Sequence, residues 1–118
     1  MYDIIGKEVT VTVDRALGTV HPRHPDIYYS VNYGYIEGVM ALDGEEQDAY
    51  ILGVEEPVEK FTGIVIAVVN RKNDVEDKWV VAPYDVTFTR EEIFEKIYFQ
   101  EKYFISEVIM SENESREK

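Results

Sequence analysis

Six consecutive apolar residues, Ile64-Val65-Ile66-Ala67-Val68-Val69, set the first limit on how this chain folds. An uninterrupted run rich in β-branched side chains reads as a strand covered on both faces, because a face open to water would force alternation. Upstream, Val9, Val11 and Val13 alternate with Glu8, Thr10 and Thr12, the period-two pattern of a half-buried strand. Ala49 to Val54 and Lys78 to Ala82 read as further strands, the second stopped by Pro83. Ile27 to Tyr35 is rich in β-formers and is broken by Gly34. Arg15 to Asp26 holds Gly18, Pro22 and Pro25 and reads as a loop, and Arg71 to Asp77 as a polar hairpin connection.

One helix is well signalled. Thr89 with Glu92 three residues on makes a capping box, predicting a helix from Arg90 to about Lys102. Ile93, Phe94, Ile97 and Tyr98 would be its apolar face. Phe104 to Met110 reads as a last strand or extended arm. Several short strands with one helix indicate a mainly β fold, a small barrel with a C-terminal helix. The domain is expected to span residues 1–110. The tail, residues 111–118, holds no hydrophobic residue and is expected to be disordered.

The 118 residues are enough for one domain, and a hydrophobic content of 45% supplies its core without staples. The absence of cysteine excludes disulfides, thiolate metal sites and a cysteine nucleophile. No apolar run approaches the ~18 residues needed to cross a bilayer. No basic segment followed by an apolar stretch marks a signal peptide, so a cytoplasmic protein is expected. A net charge of −12 argues against nucleic-acid and anionic-membrane partners. A chain this acidic that handles a polyanion needs cations as intermediaries or a local basic pocket.

Asp43, Glu45, Glu46 and Asp48 crowd one turn signalled by Asp43-Gly44. Oxygen ligands of this kind suit hard divalent cations. The spacing is not that of an EF-hand, and a solvated hairpin turn would carry the same charges. A second acidic group, Asp74, Glu76 and Asp77, precedes Lys78. Tyr29, Tyr33 and Tyr35 would share a strand face, either as core residues with wet hydroxyls or as donors to phosphate oxygens. Lys7, Arg15, Arg23 and Lys78 are candidate phosphate cations. His21 and His24 have no third ligand of their kind to complete a zinc site.

Taken together these residues resemble the soluble, Mg²⁺-dependent inorganic pyrophosphatases. Tyr29-Ser30-Val31-Asn32-Tyr33-Gly34-Tyr35-Ile36 is similar to that family's tyrosine segment. Asp43-Gly44-Glu45-Glu46-Gln47-Asp48-Ala49 is similar to its D-G-D-P-x-D-V signature. Glu76-Asp77-Lys78 before Trp79 to Pro83, and Phe99 to Tyr103, match later segments. The resemblance implies a closed OB-like five-stranded β-barrel, hydrolysis of diphosphate to two phosphates, and Mg²⁺ (or Mn²⁺ or Co²⁺) as cofactor. It implies a small-molecule diphosphate or phosphate partner and assembly into a homo-oligomer. Glu45, Asp48 and Tyr33 fall on catalytic positions. Asp43, Asp48, Glu76 and Asp74 fall on metal positions, and Lys7, Arg23, Tyr29, Tyr33, Lys78 and Tyr103 on substrate positions.

The match is incomplete. Glu45 and Glu76 stand for aspartates, Glu46 for the signature proline, and Phe104 for a lysine. The family arginine falls on His21, with Arg23 nearby, and Val9 replaces an acidic residue. These exchanges keep a second expectation open: a non-catalytic module on the same barrel that binds a phosphorylated ligand or a protein partner.

Overall fold

A computed structural model describes residues 3–72 and 76–110. Asp74 and the 111–118 tail lie outside the described residues. In chain order the elements are β1 (Glu8–Arg15), β2 (Asn32–Met40), β3 (Glu46–Ile51), β4 (Lys60–Arg71), β5 (Asp77–Ala82), α1 (Arg90–Glu101) and β6 (Ser106–Ile109). Strands pair in the order β1-β2-β3-β5-β4, and β4 returns to β1, which closes the ring. Only β3 and β5 run parallel; β6 adds antiparallel to the end of β4. The result is the closed five-stranded barrel with C-terminal helix read from the sequence, plus one outer strand.

Two cores follow from strand alternation. Val11, Ile36, Ala49, Ile51, Val65 and Val81 come from all five ring strands and fill the barrel lumen. Tyr33, Tyr50, Leu52, Ala67, Val69 and Val80 point to the other face. There they pack with Ile93 and Ile97 of α1 and with Val108 of β6. The apolar run in β4 is therefore covered on both sides. Its register shifts between Val65, opposite Val81, and Ala67, opposite Val80, with Ile66 as the extra residue. This bulge sends Val65 into the lumen but Ile66, Ala67 and Val69 outward.

The helix begins as its capping box predicts: Thr89 accepts from the Glu92 N–H and Glu92 accepts from the Thr89 N–H. Its buried face differs from the sequence expectation. Ile93, Ile97, Gln100 and Glu101 are buried, whereas Phe94 and Tyr98 are 36% and 49% exposed. The spacing i, i+4, i+7, i+8 is regular, but its last two members are polar and find buried partners. Gly34 does not break a strand as expected; it lies within β2, opposite Val13 and Ala49. A Cβ there would lie 1.9 Å from the Thr12 carbonyl oxygen, so glycine lets β1 and β2 approach.

Gly34→Ala should therefore cost about 3 kcal/mol of stability. Urea denaturation reads this directly, and an unchanged midpoint would rule out the close approach of β1 and β2.

Candidate functional site

On the helix side of the barrel lies a cavity of about 500 Å³. Strand β1 contributes Asp14 and Arg15, the following loop His21, His24, Asp26 and Tyr29, β2 Tyr33, β3 Asp48 and β4 Arg71. Gln100, Tyr103 and Phe104 close it from the end of α1 and just beyond. Register explains the convergence of the strand residues. Tyr33 stands opposite Tyr50, and Tyr35 opposite Asp48, so Tyr33, Tyr35, Asp48 and Tyr50 share the outer face. Tyr29 comes from the loop and packs on Tyr33 with ring centroids 5.7 Å apart.

A buried polar network forms the cavity floor. Tyr29 donates to Gln100 Oε1 at 2.6 Å, and Gln100 Nε2 donates to Tyr50 at 2.8 Å. Tyr50 donates to Glu101 Oε2 at 2.6 Å. Arg71 grips the same carboxylate through Nε at 3.1 Å and Nη2 at 2.7 Å, and Ser106 donates to Glu101 Oε1 at 2.6 Å. The Arg71 guanidinium also lies 3.7 Å above the Phe104 ring. Glu101 has no solvent exposure. Burial pushes its carboxyl up, but the hydrogen bonds from Arg71, Ser106 and Tyr50 together hold its pKa below the ordinary 4.5. Burial likewise works against the Arg71 charge, and Glu101 outweighs it.

Other groups in the cavity are tuned by the same physics. Burial, then the Asp48 charge, raises the Tyr33 pKa well above its usual value, so Tyr33 stays protonated beside Asp48. Burial also raises Asp14, opposed by Arg15 and reinforced by Asp48. Desolvation and the neighbouring Arg15, His24 and Arg23 lower His21, favouring its neutral form.

The acidic turn meets the cavity at its edge. The Lys78 ammonium, 5% exposed, bonds to Asp48 Oδ2 at 2.7 Å and also to Glu76. Glu76 in turn lies beside Asp43. Burial raises the Glu76 pKa and the contact with Asp43 adds to this, whereas Asp43 is lowered, first by Glu76 and then by the Glu45 N–H.

Solved structures share this architecture. An inorganic pyrophosphatase from Neisseria gonorrhoeae matches with a TM-score of 0.62 at 21% identity, covering 86% of this chain and 76% of that one. Another from Ehrlichia chaffeensis gives 0.66 at 18% identity, covering 89% and 86%. A third from Helicobacter pylori gives 0.65 at 13% identity, covering 99% and 91%. The chain has the inorganic-pyrophosphatase fold. No protein-family profile and no curated protein sequence matches it.

On this pyrophosphatase barrel, the residues singled out by resemblance separate into groups. Asp48, Tyr29, Tyr33 and Tyr103 line the cavity, and Tyr103 donates to Asp26 at 3.1 Å. Asp43, Glu76 and Lys78 adjoin it through Asp48. Glu45 is exposed, its N–H bound to Asp43 Oδ1 at 3.0 Å, an arrangement that shapes the turn itself. Lys7 and Arg23 are exposed and are not among the cavity-lining residues; the Arg23 N–H donates to His21 Nδ1.

Sequence reasoning missed Asp14, Arg71 and the Gln100–Glu101 pair. A signal for Glu101 existed, since it falls eight residues after Ile93 and four after Ile97, on the face the isoleucines bury. A charge on that face demands a buried partner.

Glu101 yields a pH prediction. Its folded pKa lies below its unfolded value, so its stabilisation is fully present above about pH 4.5 and is lost as pH falls through the folded value. At neutral pH, Glu101→Gln should destabilise by about 3 kcal/mol, because Arg71 loses its counter-charge in a buried site. The wild-type advantage should shrink on acidification below pH 4.5. A mutant gap independent of pH between 3 and 7 in chemical denaturation would contradict this assignment.

Proposed function

We propose that the chain hydrolyses inorganic diphosphate with a divalent cation, in the cavity floored by the Glu101 network. The observation that carries this reading is the pairing of opposite charges in one cavity on a pyrophosphatase barrel. Asp14 and Asp48 face the same space as Arg15, Arg71 and three tyrosines. A substrate bearing several negative charges together with cations needs both signs.

The donor set fits Mg²⁺. Among the described residues no three carboxylate or histidine side chains gather into a cage. Mg²⁺ does not demand one, since it is usually held by one or two carboxylates, waters and substrate phosphates. Asp48 with Asp14, and Asp43 with Glu76, are like-charged neighbours that a cation would relieve. When bound, such cations neutralise the diphosphate and lower the pKa of attacking water.

The chain's own residues do the rest. Asp48 is held by Lys78, and its carboxylate orients the attacking water and accepts its proton. Tyr33 offers a neutral hydroxyl to phosphoryl oxygens where charge develops, while the Tyr29 proton stays committed to Gln100. The two guanidiniums stabilise the departing phosphate. Glu45, on the surface of the turn, is given no step. Assembly into a homo-oligomer and a cytoplasmic setting accord with this reading; no described helix is long and apolar enough to cross a membrane.

One observation favours a second reading, in which the same cavity binds a phosphorylated ligand without turnover. Lys78 is already clasped between Asp48 and Glu76, and Asp43 serves its own turn.

Phosphate release assays separate the two. Hydrolysis should require Mg²⁺ and vanish with chelator, and Asp48→Asn should lower kcat on the order of a hundredfold. No release with Mg²⁺, Mn²⁺ or Co²⁺ would exclude the enzyme and leave the binding module.

A further inference from the structure

We propose that Arg71 is the residue that grips and aligns a phosphoryl group in this cavity, with Glu101 acting through it as a positioning residue. The inference takes its ligand class from the diphosphatase reading but does not depend on turnover.

Of the basic residues expected to bind phosphate, Lys7 and Arg23 are exposed and outside the cavity lining. The Lys78 charge is matched by two carboxylates. In a protein of net charge −12, the fixed cations within the cavity are the guanidiniums of Arg15 and Arg71. Arg15 reaches only Tyr29, at a long 3.5 Å. Arg71 is built in: 6% exposed, held through two nitrogens by Glu101 and stacked on Phe104.

Stability alone does not account for this construction. A buried ion pair typically gains nothing over apolar residues of similar volume. What it provides is a planar fork with its direction fixed in advance. Glu101 takes up Nε and Nη2, and the guanidinium's remaining N–H groups stay available at the cavity wall. A fork held this way loses little freedom when it meets tetrahedral oxyanions, and lysine cannot reproduce its geometry. The apolar Phe104 ring on the other side excludes water from the guanidinium face.

Binding of inorganic phosphate to the full chain with Mg²⁺ present, followed by calorimetry, tests this. Wild type should bind saturably. Arg71→Lys, which preserves the charge facing Glu101, should bind roughly tenfold more weakly. Lys72→Gln, one residue away and exposed, should bind as wild type does. Glu101→Gln discriminates further: removing a negative charge would strengthen phosphate binding if only charge mattered, whereas loss of positioning weakens it.

Unaltered affinity in Arg71→Lys, tighter binding in folded Glu101→Gln, or no phosphate binding to wild type would overturn the inference. Phosphate binding that depends on Arg71 without diphosphate turnover would sink the enzyme reading and leave this one standing. Turnover with unchanged kcat and KM in Arg71→Lys would do the reverse.

Discussion

The buried contact between Arg71 and Glu101 joins elements that the barrel alone leaves separate. Glu101 lies at the end of α1, Arg71 at the end of β4, Tyr50 on β3 and Ser106 at the start of β6. All four meet at one carboxylate. A helix packed on a sheet by Ile93 and Ile97 could slide or rotate at modest cost, because apolar contact is non-directional. Four hydrogen bonds to a single desolvated group fix it in one position. The wall of the cavity, from Arg71 through Gln100 to Tyr29, is the solvent-facing edge of that joint.

The division of labour between the two cores gives the site its rigidity. The lumen is filled by aliphatic side chains from the five ring strands and contains none of the site chemistry. The outer core carries the tyrosines, the arginine and the glutamate, and is the layer on which the cavity opens. The carboxylates of this layer are matched by basic partners, Glu101 by Arg71 and Asp48 by Lys78. Within the cavity both signs of charge meet, Asp14, Asp26 and Asp48 beside Arg15 and Arg71.

Much of the fold was legible in the sequence, because its signals are periodic and local. Alternation marked β1, the uninterrupted apolar run marked β4, and Thr89 with Glu92 marked the start of α1. The resemblance also led to Tyr33 and Asp48, which strand register puts on one face, and to Tyr29, which the preceding loop packs on Tyr33. What stayed hidden depended on direction rather than position. Lys7 and Arg23 match family positions, yet their side chains lie outside the cavity. Phe94 and Tyr98 fit the helical spacing of an apolar face, whereas the inward positions beside Ile93 and Ile97 are taken by Gln100 and Glu101. Polar residues of that kind read as solvent-facing until their partners, far away in sequence, are known.

The single extra residue at Ile66 has a consequence beyond the local bend. Past the bulge, Ala67, Val69 and Arg71 fall on one side of the strand by alternation, and that side is the outer one. The bulge therefore sets the parity of everything that follows in β4. Without it, the same sequence would aim the guanidinium into the aliphatic lumen and send Val68 and Asn70 to the cavity side. The charge at the cavity wall is phased by an irregularity five residues upstream of it. A change of length by one residue along this segment would rewrite the inside and the outside of the protein together.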